Sequence, residues 1–283
     1  MGSAVEKLRI ASSIKDAKTG KFWAGVFAEY IGMMMFLLIG IGSILFMGES
    51  SSGLHIALGV GLALATSIWI TGNVSGGHLN PAVSFAMLLM RKISLLKFLM
   101  YVVMQCFGAA TGVAILRGLT PSAHYGTFGT TTINEERGVT VGQGFGTEVM
   151  ITFMLVLTVF ACCDGKRMDL KGSAPLAIGL SVVIGHLFAL HSTGASMNPA
   201  RSLGSSAISG IWTHHWVYWV GPFLGAAVAG LLYDMLFAAD ATPQKTAAWF
   251  AKLDYPGEAA KLDTDDPQDV AENGGKMRYD SQM

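Results

Sequence analysis

Two asparagine–proline–alanine triplets, Asn80-Pro81-Ala82 and Asn198-Pro199-Ala200, stand 118 residues apart. Each ends a short run containing glycine: Gly76-Gly77-His78-Leu79 before the first, Gly194-Ala195-Ser196-Met197 before the second. Each also follows a long apolar segment. A neutral amide in apolar surroundings costs free energy unless it is hydrogen-bonded. Proline tolerates the first turn of a helix, where no intrahelical donor is missed. The triplet therefore reads as a helix start with the asparagine at its cap. Two such starts placed back to back aim both positive helix ends at one point, with the amides donating hydrogen bonds into the space between them. That is a binding or conduction chemistry for neutral polar molecules.

Other polar residues sit in apolar context. Arg201 follows Asn198 by three positions, and Val83 holds the matching place in the first half. A charge at a helix centre in lipid costs at least ~2.5–3.5 kcal/mol, so Arg201 is expected to face water at one mouth of the path. Glu29 and Glu148 occur once per half, near the starts of equivalent segments. They are expected to accept backbone donors from the loops before the triplets, with Gln105 doing similar work. His186 is expected to line the path opposite Arg201, and His78 to brace a loop. His214 and His215 receive no role. Cys106, Cys162 and Cys163 are odd in number and lack metal-type spacing, so neither a disulfide framework nor a metal site is expected. No cofactor is called for.

These residues need a scaffold, and the composition says which. Of the 283 residues, 52% are apolar and only 13% are charged, against about 25% charged in a soluble domain; mean hydropathy is +0.48. With zero net charge, nothing suggests a nucleic-acid partner. Apolar stretches fall near 22–46, 54–72, 95–116, 145–163, 174–190 and 216–238, most approaching the ~20 residues that cross a hydrocarbon core. Shorter segments near 80–90 and 198–207 reach about halfway at ~1.5 Å per residue. The halves repeat: Ala28-Glu29-Tyr30 with Thr147-Glu148-Val149, Ala57-Leu58-Gly59 with Ala177-Ile178-Gly179, and Phe107-Gly108-Ala109-Ala110 with Leu224-Gly225-Ala226-Ala227. Three spans per half turn the second copy upside down. The expected fold is an all-α membrane protein of six transmembrane helices plus two half-helices in an inverted 3+3 repeat, with the triplets face to face near the midplane. Glycines within the spans, such as Gly61, Gly108 and Gly225, suit close helix packing in lipid.

Basic residues set orientation. Lys7, Arg9, Lys15, Lys18, Lys21, Arg91, Lys92, Lys97, Lys166, Arg167 and Lys171 fall on one side; only Arg117 and Arg137 fall on the other. Both tails are therefore expected in the cytoplasm. The domain reading is a cytoplasmic tail over 1–21, a channel over 22–238 and a cytoplasmic tail over 239–283. No cleavable leader is expected, the first span serving as start-transfer helix. Within 239–283, nine acids and five bases suggest a solvated, disordered tail. The exception is a short helix starting at Thr242-Pro243 and ending at Pro256-Gly257, with Trp249, Phe250 and Leu253 on one face. The serine of Arg91-Lys92-Ile93-Ser94 is read as an unmodified loop residue.

With Ser75-Gly76-Gly77-His78-Leu79-Asn80-Pro81-Ala82-Val83, Gly194-Ala195-Ser196-Met197-Asn198-Pro199-Ala200-Arg201-Ser202 and His214-His215-Trp216-Val217-Tyr218-Trp219-Val220-Gly221-Pro222 in view, the chain resembles the aquaporins of the major intrinsic protein family over 22–238. The resemblance implies a homotetramer with one pore per subunit. Ser202 after the arginine, His186 and the Tyr218-Trp219 pair resemble the water-selective animal branch rather than the glycerol-conducting one. It implies an outer constriction of Val60, His186, Ala195 and Arg201. Water-selective members usually carry phenylalanine where Val60 stands, a mercury-sensitive cysteine often stands at Ala195, and a histidine is frequent at Asn73.

The expected function is passive, single-file water conduction that excludes protons and ions, in a multi-pass protein of the plasma membrane. One alternative keeps the fold and adds urea, hydrogen peroxide or ammonia because Val60 widens the filter; another is a poorly conducting junctional or signalling protein using the tail. An enzyme is not expected: an intramembrane serine protease built on Ser196 and His186 would need glycine where Met197 stands.

Overall fold

A computed structural model of the chain describes residues 17–45, 52–167, 169 and 172–251. The described residues are helical apart from turns and loops. In chain order the helices are α1 (Gly20–Leu45), α2 (Gly53–Ser75), α3 (Pro81–Leu89), α4 (Leu95–Leu119), α5 (Val141–Cys162), α6 (Ala174–Thr193), α7 (Pro199–Ser209), α8 (Val217–Leu232) and α9 (Pro243–Ala251). A π turn, Tyr233–Phe237, extends α8. Among the described residues six helices are long and apolar enough to cross a membrane, α8 being counted with its π turn. With α3 and α7 as half-length helices, this is the expected 3+3 architecture.

Local chemistry sets the helix ends. Ser52, Ser94 and Ser173 cap α2, α4 and α6 by accepting the N–H three residues on, satisfying one donor that the first turn leaves open. Thr140 and Gln143 form a reciprocal capping box on α5. Gly76, Gly194 and Gly210 end α2, α6 and α7 in the left-handed conformation. Ser94 is a buried cap.

The packing obeys one pseudo-two-fold that maps α1, α2, α3 and α4 onto α5, α6, α7 and α8. α1 packs on α2 and α4 as α5 packs on α6 and α8, and α2 packs on α6 across the axis. The half-helices exchange partners, α7 lying on α4 and α3 on α8. At the axis Gly61 and Gly179 touch. A Cβ on Gly61 would stand 2.6 Å from the Gly179 carbonyl oxygen, and one on Gly179 would stand 2.5 Å from that of Gly61. Lipid supplies no hydrophobic force between helices, so backbones must approach closely to gain dispersion energy. Large apolar side chains instead face outward: Phe188 is 71% exposed and Trp69 66%, as a lipid-facing belt requires.

At the end of the bundle where α1 begins, called lower here, charges join the loops to the C-terminal segment. Lys245 reaches Asp240 at 2.8 Å and Asp234 at 3.2 Å, and Lys166 pairs with Asp240. Burial alone would raise the Asp240 carboxyl; hydrogen bonds from Lys166 and Lys245 outweigh it and hold the group at about 2. Asp164 is also held below its ordinary value: partial burial is outweighed by N–H groups of Ala239 and Lys166 and by the Tyr233 hydroxyl. α9 begins as the sequence suggests, with Thr242 Oγ1 accepting the Lys245 N–H at 3.1 Å. Its faces differ from expectation. Trp249 packs against the bundle beneath the Arg91 guanidinium, 5.3 Å from ring centroid to Cζ, whereas Phe250 is 72% exposed. Adjacent helical residues point about 100° apart, so one docking face cannot hold both. Leu253, the helix end at Pro256-Gly257, the tail beyond, and residues 1–16 with Lys7, Arg9 and Lys15 lie outside the described residues, as does Lys171.

Candidate functional site: a two-loop waist between two cavities

Each triplet is reached through a loop whose backbone alternates in handedness. φ is positive at Gly76, Gly77 and Leu79, and again at Gly194, Ala195 and Met197. Left-handed backbone is unfavourable for Leu, Ala and Met, so outside contacts must hold it. Glu29 supplies them in the first half. Its Oε1 accepts the Ser75 hydroxyl at 2.6 Å and the His78 N–H at 3.0 Å, and its Oε2 accepts the Leu79 N–H at 2.7 Å. Glu148 repeats the pattern with the Thr193 hydroxyl at 2.6 Å, the Ser196 N–H at 3.0 Å and the Met197 N–H at 2.9 Å. Both glutamates are fully buried, where hydrogen bonds to a charged acceptor are strong and expensive to lose.

Gln105 works differently from the glutamates. Its amide donates to Glu29 Oε2 at 2.7 Å and to Ser84 Oγ at 3.0 Å; it steadies the acceptor rather than accepting loop N–H groups. The His78 ring joins the same network through Nδ1, 3.0 Å from Ser84 Oγ. Residues that sequence reasoning passed over belong here too. Tyr101 Oη donates to the Ser75 carbonyl at 2.8 Å, and Tyr218 Oη to the Thr193 carbonyl at 3.0 Å. Tyr101 with Tyr218, Ser75 with Thr193 and Ser84 with Ser202 recur at the repeat spacing; a search for polar residues repeated between the halves finds all three pairs.

The asparagines join the halves. Asn80 and Asn198 are extended caps of α3 and α7, with Pro81 and Pro199 in the first turn. Asn80 Oδ1 accepts the Ala82 N–H at 2.8 Å; Asn198 Oδ1 accepts those of Ala200 and Arg201 at 3.1 and 3.2 Å. Each side-chain nitrogen crosses to the other loop: Asn80 Nδ2 donates to the Met197 carbonyl and Asn198 Nδ2 to the Leu79 carbonyl, both at 2.8 Å. An amide nitrogen has two hydrogens, so one of each serves the crossing. Asn198 Nδ2 also lies 4.0 Å from Met33 Sδ.

Cavities open on both sides of this waist. The lower one, about 430 Å³, reaches Asn80, Val83, Ile68, His78, Asn73 and Cys163. The upper one, about 580 Å³, reaches Arg201, His186, Gly194, Ile56 and Glu135. Along α2 the four-residue stripe Ile56, Val60, Leu64, Ile68 runs from the upper cavity to the lower, with the buried Val60 between them. The pseudo-two-fold carries Ile68 onto His186 and Val83 onto Arg201. The fold is thus symmetric while its chemistry is not: the apolar pair faces the lower cavity and the polar pair the upper.

His186 Nδ1 lies 3.0 Å from the Val182 carbonyl. Arg201 Nη1 donates to the Gly129 carbonyl in the loop between α4 and α5. Both residues are nearly fully buried, and among the described residues His186 Nε2 and Arg201 Nε have no protein partner. Ala195, six residues before Arg201, is also buried, its N–H bonded to Thr193 Oγ1 at 3.2 Å. No hydrogen bond joins Ser196 to His186 among the described residues. The Ser196 hydroxyl is taken by Ser202 and the Asn198 backbone, while His186 Nδ1 is turned to Val182. His215, which the sequence left without a role, accepts the Trp219 indole N–H at 3.2 Å. His214 pairs with Glu135 at 3.1 Å at the upper rim.

Comparison with known proteins gives a consistent picture. The family model for major intrinsic proteins matches residues 16–233. The chain is 46% identical over 244 residues to Aquaporin-4 of Mus musculus, a match covering 84% of this chain and 75% of that one. It is 43% identical to Aquaporin FA-CHIP of Pelophylax lessonae, over 79% of this chain and 86% of that one. Identity to Aquaporin-1 of Rattus norvegicus is 44%, over 79% and 85%. The fold matches the X-ray structure of the aquaglyceroporin from Plasmodium falciparum with a TM-score of 0.70 at 25% identity, over 76% of this chain and 96% of that one.

Proposed function

The chain belongs to the major intrinsic protein family and is a multi-pass membrane protein and passive water channel, and on that premise we propose how its residues conduct and select. The observation that carries the proposal is the reciprocal crossing of Asn80 and Asn198 between two half-helix starts. Each amide is fixed by the bond that it makes to the opposite loop, and its second hydrogen, which on Asn198 has only the distant Met33 Sδ as a protein acceptor among the described residues, is the donor that holds a passing water by the oxygen. A water held by two donors keeps its own hydrogens turned away from the waist, which interrupts a proton-conducting file. The N-termini of α3 and α7 add positive potential at the same point, and Arg201 adds a full charge above it. Cations and protons meet an electrostatic barrier while neutral molecules pass.

Val60, His186, Ala195 and Arg201 form the filter in this reading. His186 Nε2 and Arg201 Nε, which have no protein partner among the described residues, are the polar atoms we assign to the permeant, and the apolar stripe of α2 offers few competing partners. Valine at position 60 lacks an aromatic wall, so the filter also admits small neutral solutes such as urea. Residues 22–238 are the channel; the flanking segments are cytoplasmic tails, an orientation supported by the basic residues at the lower end. The protein works as a homotetramer in the plasma membrane and carries no catalytic activity.

The test is stopped-flow swelling of proteoliposomes holding the full chain. The wild type is expected to raise osmotic water permeability well above the lipid background and to pass urea. Val60→Phe is expected to keep water permeability within about twofold and to lower urea permeability by about tenfold, because ~1.4 kcal/mol added to a barrier is a factor of ten. Water flux at the lipid background in the wild type would refute the channel reading; equal urea flux in both proteins would refute the filter assignment.

A further inference from the structure

The two half-sites are braced unequally. In the first, Gln105 closes the network by donating to both Glu29 and Ser84. The repeat places Pro222 where the second half needs that glutamine. Proline has no side-chain donor, and Pro222 lies inside α8. Ser202, the counterpart of Ser84, is nonetheless buried and bonded. Its hydroxyl is 2.6 Å from Ser196 Oγ on one side and 2.6 Å from Thr131 Oγ1 on the other. Ser196 Oγ in turn bonds the Asn198 carbonyl at 3.0 Å and the Asn198 N–H at 3.2 Å. A chain of three hydroxyls thus runs from the upper loop to the capping asparagine.

Thr131 is not part of the repeat. It lies in the α4–α5 loop, two residues after Gly129, whose carbonyl holds Arg201. That loop lies over the site as a strap. Phe128 and Gly129 are both left-handed, and a Cβ on Gly129 would stand 2.8 Å from Ile41 Cδ1. Thr131 packs on the second conducting loop so closely that a Cβ on Gly194 would stand 3.1 Å from its Cα. The strap is fastened again by Thr130 Oγ1 to Ser209 Oγ at 2.7 Å and by the Asn134 N–H to the Ser192 carbonyl at 2.9 Å. Of these fastenings only Thr131 is buried and continuous with the asparagine cap.

We propose that Thr131 is a positioning residue for selectivity: its hydroxyl ties the strap to the second half-helix and so fixes the Gly129 carbonyl that orients the Arg201 guanidinium. Thr131 bonds Ser202 as Gln105 bonds Ser84, from a loop rather than a span. The strap thereby becomes a determinant of the filter through Thr131, a residue that is buried and does not itself line the upper cavity. This rests on Arg201 being the filter cation, as set out above.

The experiment compares wild type, Thr131→Val, Thr131→Ser and Ser202→Ala in proteoliposomes, with the urea-to-water permeability ratio as readout and helix content and oligomer size as folding controls. Valine keeps the shape and deletes the hydroxyl. The ratio is expected to rise about fivefold in Thr131→Val, the population shift that loss of one neutral hydrogen bond produces, and to return to the wild-type value in Thr131→Ser. Ser202→Ala breaks the same bond from the other side and is expected to raise the ratio likewise; it decides the question if the valine variant does not fold. In an Arg201→Val background, Thr131→Val should change nothing further. An unchanged ratio in Thr131→Val or Ser202→Ala, a serine variant that behaves like valine, or an undiminished effect without Arg201 would each overturn the proposal. Wild-type protein without water flux would instead defeat the channel reading.

Discussion

Replacing Glu148 by glutamine tests whether a buried carboxylate holds the second conducting loop. The carboxylate presents two acceptor oxygens to three donors: the Thr193 hydroxyl, the Ser196 N–H and the Met197 N–H. Glutamine presents one. If its NH2 takes the Oε1 place, the Thr193 hydroxyl can reverse and accept, but the Ser196 N–H loses its partner. If it takes the Oε2 place, the Met197 N–H does. Either way one buried N–H is orphaned, at a cost of about 1–3 kcal/mol. The remaining bonds lose charge assistance, about 1 kcal/mol each, offset in part because a neutral amide is easier to bury than a carboxylate. The expected net loss is about 1–3 kcal/mol in unfolding free energy. Alanine orphans both N–H groups, about 2–6 kcal/mol, so Glu148→Ala should lie about twice as far from wild type. Function should follow, because the Met197 carbonyl accepts Asn80 Nδ2 and a relaxed loop releases that amide. Unfolding in mixed detergent micelles gives the energies, and proteoliposome swelling per folded channel gives the flux. Glu29→Gln serves as the symmetry control, with His78 and Leu79 in the matching places. A glutamine variant with wild-type stability and flux, or an alanine variant no worse than glutamine, would refute the argument.

Two further outcomes are expected. Gly204→Val should destabilise the bundle by more than 1 kcal/mol: a Cβ at Gly204 would lie 2.7 Å from the Ala109 carbonyl carbon and 2.8 Å from Ala109 Cβ, separating α7 from α4. A thermal midpoint equal to that of wild type would contradict it. The second concerns pH at the lower end. The Asp240 carboxyl is held at about 2, and Asp164 is also below its ordinary value; groups depressed on folding add stability that is present above their unfolded values near 3.8 and is lost as pH falls through the folded ones. Hydrogen exchange over residues 239–251 should therefore, after correction for intrinsic rates, stay level from pH 8 to about 4.5 and quicken toward pH 2. Quickening that begins near pH 6.5 would show that another group controls the docking of this segment.

Much of the fold is local information. Hydropathy marks the spans, the Asn-Pro-Ala steps mark two helices that begin inside apolar sequence, and Thr242-Pro243 marks the start of α9. Where local reasoning fell short, neighbours in space decided. Trp249 and Phe250 are adjacent in sequence, yet only Trp249 docks, because Arg91 and the bundle lie on its side. Gln105 is an amide in an apolar span, and nothing in its own segment says whether it gives or accepts. Ser84 and Glu29, 21 and 76 residues away, decide that it gives.

The amino-acid sequence by itself determined the number of crossings, the inverted repeat and the residue types at the waist, because periodicity, capping and repeat spacing are properties of contiguous chain. Only the tertiary structure decided that each asparagine is held by the carbonyl of the opposite loop, 117 or 119 residues distant. It alone decided that Thr131, which has no counterpart in the repeat, is hydrogen-bonded to Ser202 of the second half-site. Such pairings depend on how the two inverted halves close on each other at Gly61 and Gly179, where packing distance rather than local propensity chooses the partners.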